Sequence, residues 1–390
     1  MTNLRGNWNY PTTIWAGPGR IAELPAACAR AGIGVPLLVT DEGLLETPMV
    51  KRALAALAGA AVFGAVRGNP AKRHVDAGLD AYRRGGHDGV VAFGGGSAMD
   101  VGKVIAFMAG QTLPLWDFED IGDWWTRADA AAIAPIVAVP TTAGTGSEVG
   151  RASVILNEET HQKKIIFHPL ILPRVVIADA ELTVGLPRGI TAATGIDAFV
   201  HCFEAYCAPG FHPLADGIAL EGMRLVAEFQ PRACANGGDL EARAQMLAAA
   251  SMGATAFQKG LGGVHAIAHP VGSWFNTHHG LTNAVILPYV MSHNREVIAA
   301  KTDTIARVLD LPKRGHAGFL EWVLQFRRDL GVPHALAALG VNVDNAAVIG
   351  TEAARDPSAG TNPQSISAAT YERIFRAAVA GRLDDVPAAT

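Results

Sequence analysis

The chain has 390 residues, 49% of them hydrophobic and 17% charged, with a net charge of -4 and no cluster of five or more Lys or Arg. That balance excludes a disordered or fibrous chain and argues against nucleic acid or an anionic membrane surface as a partner. The length exceeds what one hydrophobic core ordinarily organises, so two domains are expected.

The opening MTNLRGNWNYPTT has no apolar core segment and does not read as a signal peptide. Beyond it, short β-branched runs alternate with helical stretches. Strands are expected at Pro36–Thr40, Ala60–Val66, Gly89–Phe93, Pro135–Val139 and Val175–Asp179, and helices near Ile21–Ala31, Met49–Ala58, Asp76–Arg84 and Ala98–Met108. Strands separated by helices of this length are the pattern of βαβ units and a parallel sheet.

The character changes near Leu186-Pro187. Amphipathic stretches follow at Gly189–Tyr206, Leu214–Phe229, Leu240–Phe257, Gly280–Asn294 and Phe319–Leu330, with Pro187, Pro213, Pro231 and Pro333 as breakers between them. An α/β domain over 1–185 and an all-helical domain over 186–390 are therefore expected, with the final DDVPAAT fraying. The longest apolar run, Ala130 to Val139, is too short to cross a bilayer. Cys28, Cys202, Cys207 and Cys234 form no CxxC pair, and four thiols in so long a chain read as buried and reduced in a cytoplasmic protein.

Two loops carry binding chemistry. In VVAFGGGSAMD, Val90 to Asp100, an apolar strand runs into three glycines, Ser97 and a helix. Glycines let a phosphate approach backbone N–H groups, and a helix N-terminus adds partial positive charge. The spacing is not GxGxxG, and a plain turn with Ser97 as N-cap is the alternative. In IVAVPTTAGTGSE, Ile136 to Glu148, Thr141, Thr142 and Thr145 offer hydroxyls at the end of another apolar strand. Asp41 ends the strand PLLVTD, where a carboxylate can accept from a ribose and repel a 2′-phosphate.

Metal-ligand chemistry lies further on. Asp197 and His201 are four apart on a helical stretch and share one face; His265 and His269 repeat the spacing, and His278 and His279 follow. Asp197 sits among Ile196, Ala198, Phe199 and Val200, and a buried carboxylate needs a partner or a cation. One carboxylate with several imidazoles suits Fe2+ or Zn2+.

In GGGSAMD, PTTAGTGSE, LTVGLPRGITAATGIDAFVHCFEAY, GLGGVHAIAHPVG and HHGLTNAVILPYVMSHN, the chain resembles the iron-containing (group III) alcohol dehydrogenases, related in fold to dehydroquinate synthase. The resemblance implies a Rossmann-like α/β N-terminal domain with a parallel sheet, an all-α C-terminal domain, and an active site in the cleft between them. It implies NAD and Fe2+ or Zn2+ as cofactors, a small alcohol or aldehyde as substrate, and a homodimer. Metal ligands carry over to Asp197, His201, His265 and His279, and a proton-relay role to His269. Cofactor contacts carry over to Asp41, Gly95, Gly96, Ser97, Asp100, Thr141, Thr142 and Thr145, and to Asn69 and Lys163. His278 departs from the family, many members having Pro there; His279 is taken as the ligand because it directly precedes Gly280.

The mechanism so implied is Lewis-acid activation of an alcohol, with hydride passing to the nicotinamide. A maleylacetate reductase-like enzyme on the same fold is the alternative, although such enzymes typically lack the metal Asp. A non-catalytic protein would show a broken ligand set. Trp274 and Phe275 are expected at the substrate pocket, with Trp124, Trp125 and Arg151 as further candidates; Arg151 and His278 could instead hold an anionic group.

Overall fold

The structure, a computed structural model, describes residues 12–57 and 59–388. The chain divides after Gly185 into two compact units.

The first unit is built on eight strands: β1 (Thr13–Ala16), β2 (Pro36–Asp41), β3 (Ala61–Val66), β4 (Gly89–Gly94), β5 (Ile136–Pro140), β6 (Ala152–Asn157), β7 (Gln162–Phe167) and β8 (Val175–Ala178). Six of them form a parallel sheet in the order β1-β8-β5-β4-β2-β3. Every residue of β4, β5 and β8 is buried, so these strands are continuously apolar, as a sheet covered on both faces requires. Helices α1 (Leu24–Ala31), α2 (Glu42–Leu45), α3 (Pro48–Ala56), α4 (Lys72–Arg84) and α5 (Gly96–Met108) connect the strands. Leu24, Ala27 and Cys28 of α1 pack with Leu38, Val91, Val137 and Ile177 of the sheet. Against β4, α5 comes so close that a methyl group at Gly102 would lie 2.9 Å from the Ala92 Cβ.

The chain leaves β2 for β3 on one side, and from β4 it continues to β5 on the other. The carboxyl ends of β2 and β4 therefore flank the point where the strand order reverses, the place at which open α/β sheets bind ligands.

Two elements of this unit go beyond the sequence expectation. β1 is only four residues long and half-exposed in alternation, too short to declare itself. β6 and β7 form an antiparallel hairpin outside the main sheet. It is anchored from α5, where the Asp100 carboxylate accepts from the Val154 N–H at 3.0 Å and the fully buried Lys103 donates to the Ser147 and Ala152 carbonyls at 3.0 and 2.5 Å.

The second unit is helical: α6 (Arg188–Cys207), α7 (Pro213–Ala235), α8 (Leu240–Ala256), α9 (Gly263–Phe275), α10 (His279–Val308), α11 (Gly315–Leu330), α12 (Ala346–Arg355) and α13 (Ala368–Ala380). α6 is its axis. Nearly every residue from Thr191 to Cys207 is buried, as expected of a helix packed on all sides, and α7, α8 and α10 surround it. On α11, Phe319, Trp322 and Phe326 pack at tilted angles around Phe199 of α6.

Two expectations are corrected here. Pro231 does not separate helices but lies inside α7; it sits in the last turns, where losing one N–H leaves the rest of the ladder intact. The end of the chain is held rather than frayed as far as Pro387, whose carbonyl accepts from His293 Nδ1 at 2.7 Å. Residues 389 and 390 lie outside the described residues, as does the opening segment through residue 11. All four cysteines are buried and free of disulfides. Among the described residues no helix is long and apolar enough to cross a membrane.

Candidate nucleotide loops and metal centre

The two glycine- and threonine-rich loops come together at the carboxyl ends of β4 and β5. Gly94 has φ 146, a conformation that disfavours side chains. A methyl group at Gly95 would lie 3.3 Å from Thr142, and one at Gly96 2.7 Å from Thr145, so the loops pack closely at both glycines and Gly96 leaves no room for a side chain without a shift of Thr145. The Thr141 N–H donates to the Gly94 carbonyl at 2.9 Å. α5 starts at Gly96 with Gly95 as its N-cap and no capping side chain. Ser97 is thus inside the first turn rather than the cap, and the first N–H groups of α5 have no side-chain acceptor from the cap residue, an arrangement suited to an anion.

Asp41 lies beside these loops, its Oδ2 3.1 Å from where a Gly94 methyl would be. Burial raises its carboxyl above the ordinary aspartate value, and the N–H groups of Leu44 and Gly43 partly offset that. The residues next to Asp41 in sequence, Glu42 and Gly43, offer no cation, yet a basic residue does stand near Asp41 and Glu42. Arg67, just past β3, pairs with Glu42 at 2.9 Å; strand pairing brings it there from 25 positions away, where local sequence does not show it.

Asp100, expected among the cofactor contacts, has its carboxylate turned to the protein. It accepts from Ser147 Oγ at 2.6 Å and the Val154 N–H, with Lys103 Nζ at 3.5 Å. It thereby ties the second loop to α5. Burial pulls the Lys103 ammonium below the usual lysine value. Asn69 adopts φ 50, the left-handed region. Its neighbour Pro70 accepts from the Leu156 N–H, and Leu156 pairs with Lys163 across the hairpin, so Asn69 and Lys163 belong to one strip of backbone.

The metal candidates converge in the second unit. Asp197 and His201 project from α6, His265 from α9, and His279 is the first residue of α10. Their nearest ligand atoms all lie within 4.8 Å of one another, and all but His279 are buried. His201 Nε2 and His279 Nε2 are 4.0 and 3.8 Å from Asp197 Oδ1. A metal with arms of about 2.1 Å would draw such atoms to about 3.4 Å apart in a tetrahedron, so these two pairs need close in by about 0.5 Å and no pair of the four by more than about 1.4 Å. One carboxylate oxygen and three imidazole nitrogens, in a site of low exposure, fit Fe2+ or Zn2+.

The His278-His279 doublet divides its tasks. His278 is exposed and caps α10, its Nδ1 accepting from the Leu281 N–H at 3.4 Å, while His279 turns toward Asp197. The glycine after it is required by packing: a methyl group at Gly280 would lie 2.5 Å from the Ala193 carbonyl oxygen and 3.0 Å from the Asp197 Cβ. His269 stands one turn beyond His265. Its ring stacks on His279 with centroids 5.5 Å apart, and its Nδ1 lies 2.8 Å from Asp356 Oδ2.

Three residues of this centre were missed in the sequence. Glu204, at 4% exposure, accepts from His265 Nδ1 at 2.6 Å and from the Val264 N–H at 2.7 Å. Burial alone would lower the His265 pKa, but the hydrogen bond and charge of Glu204, together with the charges of Asp197 and Asp356, make the net shift upward. Asn283 Nδ2 donates to Asp197 Oδ1 at 2.7 Å and lies 3.1 Å from both His265 Nε2 and His279 Nε2. Asp356 is the third. Burial would raise its carboxyl, but the charge of His269 and the hydrogen bonds from His269 and Ser358 hold it below the ordinary aspartate value. A signal existed for Glu204, which follows Asp197 at i+7 on the same buried face. Asp356 lies 87 positions from its partner and gave none.

Of the pocket candidates, Trp274 is 39% exposed and donates through Nε1 to Glu352 at 3.0 Å. The Arg127 guanidinium covers Trp124 at 4.0 Å, and Trp125 meets Phe167 and His168 edge-on. Arg151 lies 5.5 Å from the Phe167 ring, and burial lowers its pKa.

Residues 11–180 match the family profile of iron-containing alcohol dehydrogenases, and residues 191–379 match that of the C-terminal part of the Fe-containing alcohol dehydrogenase family. The chain is 39% identical over 378 residues to the 4-hydroxybutyrate dehydrogenase of Cupriavidus necator, covering 94% of this chain and 98% of that protein. It is 31% identical to the NAD-dependent methanol dehydrogenase of Bacillus methanolicus, over 96% of this chain and 100% of that one. Among solved structures, a 1,3-propanediol oxidoreductase superposes with a TM-score of 0.90 at 34% identity, over 96% of this chain and all of that one.

Proposed function

Because the chain belongs to the iron-containing alcohol dehydrogenase family, we propose that it is a metal-dependent, NAD-linked enzyme that interconverts small primary alcohols and aldehydes by hydride transfer. The observation that carries this reading is the convergence of Asp197, His201, His265 and His279 within 4.8 Å. Bound there, Fe2+ or Zn2+ supplies Lewis acidity toward an alcohol or carbonyl oxygen. NAD supplies the hydride chemistry, and the protein supplies its placement.

The chain's own residues divide the remaining work. Gly95, Gly96 and Ser97 present the N-terminus of α5 to the pyrophosphate, with Thr141, Thr142 and Thr145 lining the neighbouring loop. Asp41 receives the adenosine ribose and disfavours a 2′-phosphate, while Asn69 and Lys163 contribute from the hairpin side. Asp100 and Lys103 hold the loops together rather than touch the cofactor. With Nδ1 held by Asp356, His269 has Nε2 to take up or return the alcohol proton.

A second reading is favoured by one comparison. The identity with a 4-hydroxybutyrate dehydrogenase supports an ω-hydroxy acid as the alcohol, with Arg151 as the cation for its acid end. The maleylacetate reductase alternative is disfavoured by the complete ligand set, Asp197 included. The homodimer rests on the family resemblance and the cytoplasmic location on the four buried thiols; light scattering tests the first.

The test is elemental analysis of protein purified without chelator, joined to NADH oxidation with aldehydes of rising length, neutral and anionic. One metal per chain is expected, lost together with activity in Asp197→Ala and His265→Ala. Metal-free wild-type protein that still turns over overturns the proposal. A preference for anionic aldehydes that Arg151→Ala abolishes selects the second reading.

A further inference from the structure

The proton relay and the four ligands leave one deeply buried carboxylate of the second unit without a task. Glu204 is on α6, seven residues beyond Asp197 and three beyond His201, so all three project from one face of the same helix. Its two oxygens have different partners. Oε2 lies 2.6 Å from His265 Nδ1, and Oε1 accepts from the Val264 N–H at 2.7 Å. Both partners belong to the first turn of α9, which has no capping side chain of its own, its N-cap being Gly262. Another first-turn donor, the Gly263 N–H, goes to Asn362 Oδ1 at 3.0 Å.

We propose that Glu204 is a positioning residue that fixes His265 for metal binding: one oxygen sets the ring, and the other pins the helix that carries it. A carboxylate only accepts, so His265 Nδ1 must carry the proton, and Nε2 is left with its lone pair. Nε2 is the nitrogen that faces the other ligands, 3.1 Å from the Asn283 amide that also contacts Asp197 and His279. Of the two tautomers of a neutral imidazole, Glu204 therefore selects the one that can ligate. Its second hydrogen bond makes the selection rigid, because the ring cannot move relative to α6 without breaking the cap of α9. One helix thus supplies two ligands and the brace for a third.

The surroundings are shaped for this contact. A methyl group at Gly262 would lie 2.8 Å from Glu204 Oε1 and 3.2 Å from Asn362 Oδ1. The glycine clears room for both acceptors. Its backbone is extended, so sterics and not a left-handed turn require it.

The inference rests on the metal reading above, and the experiment separates the two. Apo protein is titrated with Co2+ against a competing chelator, and the visible d–d spectrum of the complex is recorded. Wild type is compared with Glu204→Gln, Gly262→Ala and Asn362→Ala. Glutamine keeps one acceptor oxygen and can serve His265 or the Val264 N–H but not both. Glu204→Gln is expected to bind Co2+ 10- to 100-fold more weakly, the range typical of lost partners of metal-bound histidine, and with an altered spectrum. Gly262→Ala, which removes no functional group, is expected to weaken binding by a smaller factor in the same direction. Asn362→Ala removes a cap of the same helix without touching His265, and is expected to keep the wild-type spectrum. Far-UV circular dichroism of each apo variant reports folding independently. Wild-type protein that takes up no cobalt overturns the metal reading, and this inference with it. Cobalt binding by wild type, with Glu204→Gln and Gly262→Ala within twofold of it, overturns this inference alone. So does a loss in Asn362→Ala equal to that in Glu204→Gln, which would reduce Glu204 to a helix cap.

Discussion

Gly280 offers a direct way to move one ligand without deleting any. A methyl group there would lie 2.5 Å from the Ala193 carbonyl oxygen and 3.0 Å from the Asp197 Cβ. Both neighbours belong to α6, and the nearer is backbone, so it cannot rotate aside. A carbon–oxygen contact relaxes to about 3.3 Å, so Gly280→Ala must open the α6–α10 packing by about 0.8 Å. His279 is the adjacent residue and moves with α10. Functional constellations tolerate about 0.5 Å of displacement, so the shift exceeds what the site can absorb. Overpacking of this kind costs about 1–3 kcal/mol, and a misplacement near 1 Å can cost about 100-fold in rate. The expected outcome is a folded protein with a lower thermal midpoint and metal affinity reduced by about tenfold or more, measured by differential scanning calorimetry and chelator competition. A variant with wild-type stability and affinity would show that α10 yields without strain. A variant that loses stability but keeps full affinity would show that His279 does not depend on this contact. Either result refutes the reasoning.

Three further outcomes follow from particular contacts. Asp41→Gly should lower the kcat/KM preference for NAD over NADP by about fivefold, the size of one screened charge contact near 1 kcal/mol; an unchanged ratio would take Asp41 out of the discrimination and turn attention to Arg67, beside Glu42. His269→Ala should retain metal but lose about 10²–10⁴-fold in kcat, with one limb of the pH–rate profile flattened; normal kcat across the profile would leave His269 a packing residue. Asp356, whose folded carboxyl is held below its ordinary value, contributes stability that is present above its unfolded pKa of about 3.9 and is lost as pH falls through the folded value. The stability gap between wild type and Asp356→Asn, measured by urea unfolding, should therefore narrow between pH 6 and 3; a constant gap would remove ionisation from the explanation.

Which features were legible in the sequence follows from the range over which their physics acts. β4, β5 and β8 are covered on both faces, as is β2 up to Thr40, so burial alone made apolar runs of β4, β5, β8 and the first four residues of β2. β1 and the β6–β7 hairpin escaped because their stability comes from elsewhere: β1 from pairing with β8 across 162 positions, the hairpin from Asp100 and Lys103. α9 escaped for a related reason. It contains Pro270, and its first turn is capped by Glu204 and Asn362 from distant segments rather than by a local residue. The ligand candidates could be seen as pairs because a helix puts positions four apart on one face. What fixes their rings, Glu204 on His265 and Asp356 on His269, spans 61 and 87 positions. No local pattern encodes a contact of that length.

The same centre shows why its residues are better explained by function than by stability. Asp197 is 2% exposed on the most enclosed helix of its unit, and its hydrogen bond from Asn283 is a single neutral one. Glu204, two turns further along the same face, is almost as deeply buried. Desolvating a carboxylate costs several kcal/mol, and a well-packed apolar residue of similar size would often be neutral or stabilising in its place. Two such groups on one helix, with three imidazoles turned toward them, therefore weigh against folding unless something repays them. A divalent cation would do so, because it turns the desolvated charge of Asp197 into a ligand and the brace of Glu204 into an orienting bond. Close packing supplies the other half of the requirement. Gly253 lies against His201 and Gly280 against Asp197, so the elements that carry and press on the ligands meet where an extra methyl group would crowd its neighbours, most severely at Gly280. Charge that is costly to bury and a backbone that cannot relax away from it are what a preorganised metal site needs, and neither is what a helix bundle selected for stability alone would keep.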